Sequence, residues 1–165
     1  MATPTKLESK LAEVLGLAMA AQDAVREVRG MLGGEHQALD KRLVQSRDDA
    51  REVERRCKAL AATFKGKKTA ILESAKEGKK DTIAMRETYL AGEDDPLDGF
   101  EFLTMTEAGE VGHWAILAKL NEKADIKDLR KLTEWALPIQ ERHLQEVLDG
   151  SLKLAADEDP AEEEA

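Results

Sequence analysis

One cysteine, four prolines, two tryptophans, one tyrosine and three phenylalanines are all that a chain of 165 residues contains of these types. The lone thiol, Cys57, has no intrachain partner, which excludes a disulfide and a CxxC zinc site. So little proline, with 11 glycines, rules out collagen-like and proline-rich disordered chains. Scarce aromatic and β-branched residues disfavour a β sandwich. No run approaches the roughly 20 consecutive apolar residues that a membrane span needs. Positive charge is also short. Lys and Arg number 25 against 34 Asp and Glu, a net charge of −9. An acidic surface repels phosphate backbones, so nucleic acid is not an expected partner. Residues 1–6 carry no charged segment followed by an apolar one, so no secretory signal and a cytoplasmic location are expected.

Ala, Leu, Glu, Lys and Arg dominate instead, the composition of a helical bundle. One domain fits this length and can bury roughly 70% of its unfolded surface. Apolar residues recur at alternating steps of four and three from Leu7 to Leu32, which predicts a helix ending at Gly33-Gly34. A second stripe runs from His36 to Phe64 through Leu39, Leu43, Ser46, Ala50, Val53, Cys57 and Leu60. The two should pair as an antiparallel hairpin, each about 40 Å long at ~1.5 Å per residue. A weaker helix is predicted over Thr69–Leu90 and a fourth over Leu97–Ala124. A fifth region runs from Ile126 to about Ala156, with a kink or break at Pro138. The domain therefore covers residues 1–156, and the acidic residues 157–165 read as a disordered tail.

A carboxylate inside an apolar stripe needs a partner, because desolvating an unpaired charge costs several kcal/mol. At ~100° per residue Glu110 falls at the centre of the stripe formed by Leu103, Trp114 and Leu117, with Glu107 and His113 on its two flanks. Glu110-Val-Gly-His113 has the spacing Glu-x-x-His, which sets a carboxylate and an imidazole side by side. A buried ion pair or hydrogen bond and a metal ligand both account for Glu110. After Pro138 the apolar residues lie on two sides, so Glu141 and His143 are both candidates to face inward. Asp49 lies at the edge of the second stripe, whereas Asp48 points away. On the first helix the inward positions are Leu, Val and Ala, and the nearest polar candidate is Gln22. His36 beside the glycine turn reads as a turn-capping histidine. Cys57 lies in an apolar stripe and reads as an inert core thiol. Lys65-Gly-Lys67-Lys68 reads as a solvated turn. No GxSxG, Walker loop or GxGxxG is present.

The segments Phe64-Lys-Gly-Lys-Lys68, Glu73-Ser-Ala-Lys-Glu-Gly78 and Glu110-Val-Gly-His-Trp114, with Glu141 in the last helix, resemble the ferritin-like superfamily. Within it the chain is most similar to the YciF-type, stress-associated bundle family. The resemblance implies an all-α, up-and-down four-helix bundle with an extra shorter helix in the crossing connection. It implies metal ligands at Glu110, His113, Glu141 or His143, and Asp49. Gln22 and Gln140 stand where the family has Glu, so the implied site is partial, with Glu107 beside it. The expected function is stress-related binding of iron or manganese. The alternative is a non-enzymatic interaction bundle, without metal, whose long stripes assemble a homodimer.

Overall fold

The computed structural model describes residues 2–163. Five helices make up most of it: α1 (Lys6–Met31), α2 (Gln37–Ala61), α3 (Lys68–Tyr89), α4 (Pro96–Ala124) and α5 (Lys127–Ala155). Among the described residues there is no strand, and no helix is long and apolar enough to cross a membrane. The expected helical blocks match these elements to within a few residues.

Each boundary has a local cause. Thr5 opens α1 with a capping box: its hydroxyl accepts from the Glu8 N–H at 3.3 Å, and the Glu8 carboxylate accepts from the Thr5 N–H at 2.7 Å. Gly33 and Gly34 turn the chain at φ of 58° and 84°, a region that glycine enters without steric penalty. His36 follows at φ 54° in the N-cap position of α2, but its side chain makes no cap hydrogen bond, so the expected capping role is not seen. Asp95 accepts from the Leu97 N–H at 2.8 Å, and Pro96 starts α4 where its missing donor is not needed. The α4–α5 turn is held by buried Asn121. Its amide donates to the Ile126 carbonyl at 3.0 Å and accepts from the Ile126 N–H at 3.1 Å.

The expected break at Pro138 does not occur, and α5 runs through it. Pro138 is exposed, as is Glu134, whose carbonyl loses its donor there. Water can replace the missing bond on that side. After α5, residues 157–163 leave the bundle as exposed turns; residues 164–165 of the expected tail lie outside the described residues.

Packing follows from the stripes. α1 lies against α2, α3 and α4, while α5 lies against α4 and α2, so α1, α2, α5 and α4 close a ring of neighbours. Antiparallel pairing of α1 and α2 is marked by Arg29–Asp40 at 2.7 Å and Gln22–Glu54 at 2.6 Å. α3 runs parallel to α1 outside the ring, tied by Glu8–Lys67 at 3.7 Å, Asp23–Lys79 at 3.4 Å and Glu27–Arg86 at 2.7 Å. It carries the chain from the end of α2 back to the start of α4. Gly16 permits the close approach, since a Cβ there would lie 2.7 Å from the Ala75 carbonyl oxygen. Gly78, in the middle of α3, faces open space. Gly78→Ala should therefore raise the melting temperature by about 1–3 °C through helix propensity alone. Circular-dichroism melts check this, and a lowered value would refute it.

The interior is two apolar clusters stacked along the bundle. One gathers Leu11, Leu15, Val53, Cys57, Ile71, Trp114, Leu117 and Leu129. The other gathers Val28, Leu39, Leu43, Phe100, Phe102, Leu103, Val147 and Leu154. Burying each large side chain contributes about 1.5–3 kcal/mol. The α1 and α2 stripes, from which the dimer was expected, are consumed inside one chain. Among the described residues, the large apolar side chains left exposed are Met85, Tyr89, Met105, Ile116, Leu148 and Leu152.

Candidate functional site

A polar layer separates the two clusters. On α4, Glu107 and Glu110 follow Leu103 and precede Trp114 on the inward stripe, one helical turn apart, at 2% and 3% exposure. On α5, Gln140 and His143 sit the same way between Ala136 and Val147, at 1% and 2%. α2 adds Asp49, whose side chain is 17% exposed.

These groups form one chain of contacts. With its amide nitrogen facing α4, Gln140 donates to Glu107 Oε2 at 3.2 Å and to Glu110 Oε2 at 3.0 Å. His143 Nδ1 lies 3.8 Å from Glu107 Oε2, and its Nε2 lies 2.9 Å from Asp49 Oδ2. Arg142 and Gln45 complete the Asp49 shell from the outside, the latter at 2.9 Å. Burial raises the pKa of both glutamates. Glu107 goes well above the usual carboxyl range, pushed further by Glu110 and Glu146 beside it, and Glu110 is pushed up to about 8. At neutral pH the pair therefore holds protons. Burial lowers the pKa of His143, against the opposing effect of its hydrogen bond to Asp49. A neutral imidazole there donates from Nε2 to the aspartate.

Several expected residues go elsewhere. His113, on the other flank from Glu107, turns outward to α1, with Nδ1 3.1 Å from both Lys10 Nζ and Glu13 Oε2 and a side chain 38% exposed. Glu110 and His113 thus have different neighbours despite their spacing. Glu141 is exposed, and His143 takes the inward place. Gln22 bonds Glu54 at 2.6 Å on the bundle flank. Asp49 faces in and Asp48 is exposed, as helical phase suggests. Gln140 is the pivotal residue that sequence reading placed only at the margin. The signal was available, since Leu129, Leu132, Ala136, Gln140, His143 and Val147 make one continuous stripe if the helix is not broken at Pro138.

A cleft between α1, α3 and α4 reaches this layer. Ala20, Ala21 and Ala24 line it from α1 and Arg86 from α3, with Glu107 and Glu110 at its α4 wall. It is narrow, with room for about one water molecule. Cys57 is fully buried, and burial with the charge of Glu110 and Glu54 raises its pKa, so it is no nucleophile.

The donor chemistry does not fit the iron or manganese centre that the resemblance implies. A cation between Glu107 and Glu110 would meet the amide N–H groups of Gln140, which face Oε2 of both glutamates when the nitrogen is turned toward α4. Among the described residues, no three His, Cys, Asp or Glu side chains converge as a ligand set. The chain matches no protein-family model, no curated protein and no solved structure.

Proposed function

We propose that this chain is a non-enzymatic interaction bundle of ferritin-like build, in which a proton-holding carboxyl–amide–imidazole layer stands where relatives of that type hold metal. The observation that carries this reading is the Gln140 amide shared between Glu107 and Glu110. An amide N–H presents a positive dipole to each carboxyl and so does locally what a bridging cation would do, without binding one. The ring of α1, α2, α5 and α4 with α3 as crossing connection supports the ferritin-like reading. The absence of a reactive nucleophile at the layer supports the non-enzymatic one.

The rival reading, a stress-related iron or manganese site, would rest on Asp49, His143 and Glu107, where imidazole and carboxylates adjoin. Arg142 already neutralises Asp49 there. Metal analysis after anaerobic loading with iron(II) or manganese(II) separates the two. The expected uptake is below about 0.2 metal per chain, whereas a multidentate site should fill. One metal per chain would overturn the proposal. Light scattering across concentration reads whether the interaction is with a second copy.

A further inference from the structure

We propose that the groove between α3 and α4 docks a basic amphipathic helix of a partner protein, a deepening that rests on the interaction reading above. α3 and α4 both lean on α1, and Tyr89 of α3 meets Phe102 of α4, ring centroids 5.5 Å apart. Beside that contact the two helices leave a groove of about 700 Å³, lined by Ala84, Met85, Thr88, Tyr89 and Met105. Met85, Tyr89 and Met105 are 44%, 44% and 43% exposed, so half of the large exposed apolar side chains named above meet in one place. Methionine adapts its shape to a guest, and a groove between two helices fits the apolar face of a third.

Charge chooses the guest. Residues 81–112 carry nine acids and one base, and with buried Glu107 and Glu110 holding their protons seven acids against one base leave a net charge of −6 on about a fifth of the chain. The single base in that stretch, Arg86, is 14% exposed and tied to Glu27 at 2.7 Å, and Lys80 just before it pairs with Glu77 at 2.9 Å. Asp81 stands one turn before Met85 and Glu101 one turn before Met105, while Glu93, Asp94 and Asp95 crowd the loop at the Tyr89 end; all are exposed. A second copy would bring this rim against itself, and an anionic surface would be repelled likewise. A helix with an apolar stripe and Lys or Arg on its flanks matches both floor and rim.

The test is fluorescence anisotropy with a labelled Leu/Lys peptide of about 18 residues, leucines at i, i+3, i+4 and i+7. Micromolar binding is expected. It should weaken at least about tenfold with a shuffled peptide of the same composition, and likewise with Met85→Ser, Tyr89→Ser and Met105→Ser combined. These three side chains are half exposed, so the variant should keep its helical spectrum. Equal binding of the shuffled peptide, or an unaffected triple variant, would reduce the attraction to charge alone and overturn the proposal. So would absence of binding, or a dimer in light scattering that the triple variant abolishes. Stoichiometric metal uptake would remove the proposed function and leave the binding curve where it is. Lost peptide binding without metal uptake would remove only the docking proposal.

Discussion

Raising the pH from about 6 to about 9 is expected to lower the melting temperature by roughly 10 °C, and Glu107→Gln with Glu110→Gln to remove most of that fall. The sign follows from the direction of the shifts. In the unfolded chain both carboxyls release protons near 4.5, whereas in the fold Glu110 holds its proton to about 8 and Glu107 is raised as well. Between those values the folded state binds more protons. The contribution is therefore complete below about 4.5 and is lost as pH rises through about 8. At ~1.36 kcal/mol per unit, Glu110 alone has a ceiling of about 5 kcal/mol. Groups around the pair do not cancel it. Cys57 from α2 stays neutral across this range. His143 acts in the other direction: its lowered pKa makes the fold lose stability as pH falls below the ordinary histidine range. Glutamine keeps the shape of a protonated glutamate and cannot ionise. The double variant should match the parent near pH 4 and exceed it increasingly as the pH rises to 9. Melts across pH decide this, and the same slope in both proteins would show that the pair is not protonated.

The helices and this layer differ in how far sequence could reveal them. Five helices were legible because the stripes of α1 and α2 are unbroken and glycines punctuate the chain. Glu110 was legible because it falls at the centre of its stripe, where any neighbouring helix must cover it. Glu107 and His113 were not separable, since phase puts them at equal angles on either side. α5 offers Gln140 and His143 to one flank, and α1 offers the charged Lys10 and Glu13 to the other, so one is buried and one reaches water. That is a property of the neighbours. On α5 the obstacle was Pro138. Treating it as a break resets the helical phase, and with the phase lost Glu141 and His143 look equivalent. The helix tolerates proline because its exposed side faces water, and exposure at a single position is not written in local sequence.

Gly150→Ala is expected to lower the melting temperature by about 2–6 °C, although alanine is the better helix former. α4 and α5 approach so closely here that a Cβ on residue 150 would lie 2.6 Å from Cδ1 of the Phe100 ring, closer still to Cε1, and 3.4 Å from Leu39 Cδ2. Phe100 is 1% exposed and packed with Leu39, Leu43 and Val147. The cleft beside the ring, between α2, α4 and α5, has room for little more than one water, so the ring has nowhere to swing. Overpacking of this kind costs about 1–3 kcal/mol, against a propensity gain of about 0.5–1 kcal/mol. Phe100→Leu should destabilise the parent but be better tolerated beside Gly150→Ala, because a smaller side chain vacates the volume that the methyl needs. If the two substitutions simply add, steric contact between residues 100 and 150 is not the cause. Gly78→Ala makes the same chemical change within a helix and should have the opposite sign, because the space beyond it is open. A protein in which both alanines stabilise would have its α4–α5 contact wider than the structure places it, and the polar layer held by that contact would be looser too.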